Sequence, residues 1–325
     1  MRTRFTELLG ITHPIVSAPM AGSAYAELVA AVSAAGGFGL IGASHATAKP
    51  ERPEWLRAQI RQIRERTDRP FGVGLALCFP QFDELLAVSL AEGVAGVAIS
   101  FGDVIPYVER VKAAGAVLLS QVQTVAEAKR LAVAGVDVLA AQGVEGGGHI
   151  GEISTFTLLP AVRDAVDVPV LAAGGIADGR GLAAAIMMGA DGAWMGTRFV
   201  ASTESASGKW HKDAIVAAGA DDTVRTLAYD LARNVPFPEG IAGRAIKNRF
   251  TEQWHGRDDE IVSRREELDA EFAAAISSGT AEWSAAWAGS ASEVIHSIEP
   301  AGELVRRITA DAESILGRRP SAILD

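Results

Sequence analysis

A short apolar run, a loop and an Ala-rich amphipathic stretch recur eight times in the first 200 residues, and this rhythm constrains the fold more than any other property of the chain. The runs fall at 14–18, 38–42, 71–77, 96–101, 116–122, 138–142, 168–173 and 192–196. Each is too short for a globular helix and lacks strict polar–apolar alternation, which predicts parallel strands buried on both faces. The stretches between them, such as 54–65, 81–91, 106–114 and 125–134, have helical periodicity. Gly36, Gly93, Gly115, Gly135 and Gly189 each stand between a helical stretch and the next strand, where a left-handed residue caps a helix. Thr124 followed by Val-Ala-Glu127 matches a capping box. Eight such units predict an α/β fold, a (β/α)8 TIM barrel, over an open doubly wound sheet. No Gly-x-Gly-x-x-Gly with an acid about 20 residues on opens the chain, which weakens a dinucleotide-binding reading.

At 325 residues the chain is longer than a bare barrel, and its rhythm changes after about residue 202. The expected organisation is a barrel over 1–205, a smaller helical substrate domain over 206–295, and a last helix in 296–325 that packs back on the barrel. Within the middle part, 210–219 and 251–275 are helix-prone, and Trp283 and Trp287 at i, i+4 spacing read as core anchors more readily than as pocket walls. A hydrophobic fraction of 49% with 34 glycines and few aromatics suits a dense α/β core. With a net charge of −10, the basic footprint of a nucleic-acid binder is not expected. One cysteine, Cys78, rules out an intramolecular disulfide and is compatible with a reducing compartment; packing is its simplest role. The amino terminus lacks an apolar signal core. The uncharged stretch 28–48 is split by Gly36, Gly37 and Gly39 and is no transmembrane span. The expected setting is cytoplasmic, away from membranes.

In a barrel of this kind the active site lies at the carboxyl ends of the strands. The informative loops therefore begin at Pro19, Ala43, Cys78, Gly102, Gln123, Gly143, Gly174 and Thr197. Loops after the seventh and eighth strands commonly bind phosphate through backbone N–H groups. Here those loops carry Ala173-Gly-Gly175 and Gly196-Thr197, so small residues let the amides approach an anion and Thr197 adds a hydroxyl. The loop after the first strand, Ala18-Pro19-Met20, is small and uncharged and suits a flat aromatic ring. Gln121 and Gln142 end the fifth and sixth strands, where an amide either satisfies neighbouring backbone or hydrogen-bonds a heterocycle. The loop 143–151 holds five glycines among nine residues, with Glu145 and His149. A lone imidazole in such a loop is a candidate for proton chemistry or anion binding. Of the six histidines, His13, His45, His149, His211, His255 and His296, none forms a metal-binding pair, so no metal is expected. His45 follows the second strand with its role open.

Taken together, 14–22, Gly36-Gly-Phe-Gly39, 141–151, 173–179, 195–199 and 238–250 resemble the nitronate monooxygenase family, formerly called 2-nitropropane dioxygenases, FMN-dependent TIM barrels. The match spans nearly the whole chain and is more specific to the flavin barrel than to one substrate. The resemblance implies that the FMN phosphate meets Gly174, Gly175, Gly196 and Thr197 beside Ala173. It implies that the ring lies against Ala18, Pro19 and Met20 and is lined by Gln121, Gln142, Gly147 and, on the third strand, Gly74. His149 matches the family's catalytic histidine, and the implied reaction oxidises alkyl nitronates with O2 to a carbonyl compound and nitrite. Two positions depart from relatives: Gly74, where some have a side chain on the flavin, and Gln121, where some have lysine. The nearest rival is an NAD(P)H-dependent FMN reductase of quinones or enoyl thioesters on the same barrel. A flavin-free lyase or isomerase with the same phosphate site is the alternative from another class. A homodimer is compatible with either enzyme reading.

Overall fold

The computed structural model describes residues 1–45, 48–278 and 282–324. In chain order the strands are β1 (Ile15–Ser17), β2 (Phe38–Gly42), β3 (Phe71–Ala76), β4 (Gly96–Ser100), β5 (Val117–Val122), β6 (Val138–Gln142), β7 (Gly148–Ile150), β8 (Val170–Ala173), β9 (Gly192–Met195), β10 (Thr223–Thr226) and β11 (Ala242–Ile246). Eight parallel strands close a barrel in the order β1-β2-β3-β4-β5-β6-β8-β9, the last pairing back onto the first. These are the eight runs expected from the sequence, trimmed by one or two residues at some ends.

Side-chain alternation explains why the runs are apolar throughout. Val16, Phe38, Leu40, Ala98, Leu119, Val138, Ala140, Leu171, Ala173 and Trp194 fill the barrel. Their sequence neighbours Ile15, Ile41, Val97, Leu118, Leu139, Val170, Ala172 and Ala193 pack outward under the helices. Phe5 and Leu9 of the short helix Arg4–Leu9 join the inner cluster, and Phe5 meets Phe38 edge-on at 6.5 Å. Thr3 caps that helix and its hydroxyl donates to the Asp191 carbonyl just ahead of β9, so the helix plugs the amino end of the barrel.

All five expected cap glycines, Gly36, Gly93, Gly115, Gly135 and Gly189, have positive φ. The Thr124 hydroxyl accepts from the Glu127 amide as expected, but the Glu127 carboxylate reaches back one residue further, to the amide of Gln123.

Beyond the barrel the chain forms the helices Lys209–Ala217, Ala228–Arg233, Arg249–Trp254, Asp258–Ser263 and Arg265–Ser278. To these it adds β10 and β11, which the helical reading did not anticipate. They pair antiparallel, and β11 also pairs with β7, drawn from the glycine loop after β6. Tyr229, Phe250, Trp254, Leu268 and Phe272 form a separate core, with Trp283 and Trp287 packed against it. The two tryptophans approach it from irregular chain, Trp287 through a bridge to Ala245 on β11; residue 280 of the same stretch lies outside the described residues. The final helix, Ala301–Leu324, returns to lie on the helices Gly179–Met187 and Ala26–Ala34. Contact is close enough that a Cβ at Gly179 would stand 2.4 Å from Cβ of Asp311. No described helix is long and apolar enough to cross a membrane.

Candidate active site

Following the inward alternation to the carboxyl ends of the strands reaches Ala18, Gly42, Gly74, Ser100, Gln121, Gln142, Ala173 and Gly196 at the mouth. Six of these, Ala18, Gly74, Gln121, Gln142, Ala173 and Gly196, are residues singled out from the sequence. The loop after β1 folds in over them. A Cβ at Gly74 would stand 2.1 Å from Cβ of Pro19, and one at Gly42 would stand 2.3 Å from the Met20 carbonyl carbon. Gly74 therefore faces Pro19 rather than open space, and Pro19 presents the surface above it. Gln121 is half-buried at the end of β5. The buried Gln142 is oriented by Gln123, whose amide donates to its Oε1 at 2.8 Å, and among the described residues the Gln142 NH2 donates to no protein group.

The loops after β8 and β9 carry the clearest anion-binding geometry. Gly174 and Gly175 adopt φ of 100° and 75°, a region costly for any residue with a Cβ. Among the described residues the backbone N–H groups of Gly174, Gly175, Gly196 and Thr197 donate to no protein group. Unpaired donors at a helix entrance, with no side chain between them, are what a phosphate requires. The Thr197 hydroxyl accepts from the Gly289 amide at 2.9 Å, so its own proton remains available. A Cβ at Gly196 would come no closer than 3.5 Å to Sδ of Met20 and 3.7 Å to Cβ of Ala18, which makes the two loops one continuous surface. Arg198 is no phosphate ligand. It is buried and donates to the carbonyls of Ala201 and Ser297, and burial pulls its pKa down to about 10.

His149 is not in a flexible loop. It lies on β7, in register with Gly243 of β11, so a small sheet fixes its backbone. Its Nε2 is 2.9 Å from both carboxylate oxygens of Asp230, and both side chains are mostly buried. Nδ1 has no hydrogen-bond partner among the described residues. Phe237 stacks on the imidazole at 3.4 Å and 11°, Trp287 tilts against it at 5.0 Å, and Phe101 presents an edge at 6.4 Å. Phe79 and Phe101 in turn flank Phe237, each at 5.3 Å. Phe101 holds φ of 62°, strained for a bulky residue and of the order of 1–3 kcal/mol, at the carboxyl end of β4. Gly243 is a glycine because Trp287 lies over it: a Cβ there would be 2.3 Å from the indole.

Other residues of the glycine loop serve its packing. Gly147 abuts the 288–289 segment, where a Cβ would be 2.5 Å from the Gly289 nitrogen. Glu145 accepts from the amide and the hydroxyl of Thr155, which opens the helix Thr155–Ala165, and its carbonyl accepts from the Ser290 amide. Cys78 is partly buried, and burial with the nearby Asp230 charge pushes its thiol up to about 11, which keeps it protonated. His211 donates from Nε2 to the Trp287 carbonyl at 3.1 Å and so braces the wall behind His149. Among the described residues no cluster of histidines, cysteines and carboxylates could hold a metal ion. Asp230, Phe237, Phe101 and Phe79 were not singled out from the sequence. The one local hint is Asp230 itself, an acid set in the apolar run Leu227-Ala-Tyr-Asp-Leu-Ala232.

Comparison with known proteins shows what the whole chain is similar to. The family model described as nitronate monooxygenase matches residues 2–311. A probable nitronate monooxygenase of Staphylococcus saprophyticus is 32% identical over 98% of this chain and 99% of its own length. A (3aS,4S,5R,7aS)-5-hydroxy-7a-methyl-1-oxo-octahydro-1H-indene-4-carboxyl-CoA dehydrogenase of Mycobacterium tuberculosis is 39% identical over 78% of this chain and 68% of that protein. Among solved structures, FabK from Thermotoga maritima superposes with a TM-score of 0.89 at 36% identity, covering 99% of both chains. Nitroalkane oxidase from Streptomyces ansochromogenes superposes with a TM-score of 0.83 at 31% identity, covering 95% of this chain and 98% of the other.

Proposed function

This chain belongs to the nitronate monooxygenase family, and from that premise we propose that it is an FMN-dependent oxidase of small alkyl nitronates and their parent nitroalkanes. It consumes O2 and yields a carbonyl compound and nitrite. The observation that carries this reading is the meeting, at one barrel mouth, of unpaired backbone donors on the β8 and β9 loops with a buried imidazole walled by aromatic rings. The donors and the absence of side chains at Gly174, Gly175 and Gly196 fit a phosphate; the surface of Ala18, Pro19 and Met20 fits a flat ring; the Gln121 and Gln142 amides fit its polar edge.

FMN bound there supplies the electron exchange between the nitronate and O2. The chain supplies the rest. The amides of Gly174, Gly175, Gly196 and Thr197 anchor the phosphate and so fix the register of whatever lies above Pro19. Phe79, Phe101, Phe237 and Trp287 exclude water and favour a short apolar substituent. His149, through Nδ1, takes the α-proton of a neutral nitroalkane, or when protonated holds the nitro oxygens of a nitronate. The test is nitrite and carbonyl release by the yellow protein supplied with nitroethane and with ethylnitronate under air. Equal yields of the two products are expected; flavin-loaded protein that releases no nitrite from either would overturn the reading.

The 39% identity to a carboxyl-CoA dehydrogenase favours a second reading, a flavin oxidoreductase of CoA thioesters. On that reading the CoA thioester is oxidised and bleaches the flavin under anaerobic conditions, and nitronate does not.

A further inference from the structure

We infer that Asp230 is a positioning residue that fixes the proton of His149 on Nε2, leaves Nδ1 as the ring's only basic atom, and thereby equips the site for neutral nitroalkanes as well as preformed nitronates. This rests on the proposed function. A carboxylate has acceptors and no donor, so the proton in the Nε2 contact at 2.9 Å to each oxygen belongs to the imidazole. In the neutral ring that assignment leaves the lone pair on Nδ1, which has no protein partner among the described residues.

Both sides of the pair are held independently of substrate. The β7–β11 register fixes the His149 backbone, and the stacked Phe237 fixes the ring plane. Asp230 lies in the first turn of Ala228–Arg233, a helix opened by the Thr226 hydroxyl accepting from the Ala228 amide. The Asp230 carbonyl accepts from the Val235 amide at 2.9 Å, two residues before Phe237. This short helix thus delivers the carboxylate from its first turn and the stacking ring from the chain just past its last.

The pair matters to one step of the reaction. When a nitroalkane reacts, the α-C–H bond breaks, the proton goes to Nδ1, and the C–H electron pair enters the C=N bond of the nitronate, leaving charge on the nitro oxygens. Nothing is oxidised in this step. The ring becomes an imidazolium against Asp230, so the carboxylate interaction strengthens as the proton moves and lowers the barrier to its transfer. A preformed nitronate needs no proton removed, so it forgoes the gain in this step and keeps only the support Asp230 gives a protonated ring that holds it. A charge-assisted hydrogen bond of this kind corresponds to roughly a 10- to 100-fold effect.

Two measurements test the assignment. In flavin-loaded Asp230→Asn, the ratio of kcat/KM for nitroethane to that for ethylnitronate is expected to fall roughly 10- to 100-fold. An equal loss on both substrates, or none, overturns the positioning role. Long-range 15N–1H spectra of histidine-labelled protein, with His149 assigned by its loss in His149→Gln, are expected to show the neutral ring protonated on Nε2 in the wild type. Protonation on Nδ1 overturns the inference whether or not Asp230→Asn folds. If the wild type releases no nitrite, the functional reading fails, and the spectra still decide the His149–Asp230 assignment.

Discussion

Replacing Gly175 by valine probes the phosphate cradle at the point where the backbone is least tolerant. Its φ of 75° costs a residue with a Cβ about 1–2 kcal/mol. A Cβ there would lie 3.3 Å from Cβ of Glu145, so relief comes by moving the loop that carries the free amides. Losing one N–H donor to an anionic phosphate costs about 1.5–3 kcal/mol, which weakens FMN binding roughly 10- to 150-fold. The assay is titration of apoprotein with FMN by flavin fluorescence quenching, beside Gly10→Ala as a control. Gly10 has the same left-handed backbone at φ of 65°, with no atom near its Cβ position, at the far end of the barrel. The control is expected to lose stability by a similar strain and keep wild-type affinity. An unchanged Kd in Gly175→Val would refute the assignment of these amides to the phosphate.

Three further outcomes follow from the same structure. His149→Ala is expected to retain FMN, read from the flavin absorbance, while nitroethane turnover falls about 100-fold or more; an unchanged rate would remove His149 from the chemistry. Leu304→Ala, at a fully buried site where the last helix docks on the barrel, should cost about 2–5 kcal/mol in urea unfolding, and a cost below about 1 kcal/mol would mean the helix contributes little to that core. Burial lowers the pKa of His211 below its ordinary 6.5, so the unfolded chain binds a proton there that the folded protein refuses. Stability is then lost as pH falls through 6.5, and His211→Gln should flatten the decline in Tm between about pH 7.5 and about 5.5. A decline of equal slope in both proteins would contradict the linkage.

What was legible in the sequence is local in origin. A buried parallel strand must be apolar on both faces, so 38–42 and 138–142 announce themselves, and a helix must end before the next strand, so Gly135 and Gly189 mark the turns. The same locality made the β8 and β9 loops visible, because glycines at strand ends read as phosphate loops before any contact is known. The pairing of His149 with Asp230 spans 81 residues, and nothing near either residue specifies the other. β7, β10 and β11 are three to five residues long and include glycine and arginine, so they carry no strand periodicity; long-range pairing alone makes them strands. Gly74 and Gly147 drew attention for a ligand, yet each is fixed by a neighbouring loop, Pro19 in one case and the 288–289 backbone in the other. Trp287 read as a core anchor, and it is one, but its indole also leans on His149. Such double duty arises because the separate core around Tyr229 and Phe250 shares a wall with the site.

On the proposed function, nitronate rather than a pyridine nucleotide is the electron donor at this mouth. Anaerobic mixing of the flavin-loaded protein with ethylnitronate, NADH and NADPH in parallel, followed by flavin absorbance, tests it most directly. Rapid loss of the oxidised flavin spectrum with ethylnitronate, and none on the same timescale with either nucleotide, is the predicted result. Rapid bleaching by NADH or NADPH with an unchanged spectrum in ethylnitronate would contradict it.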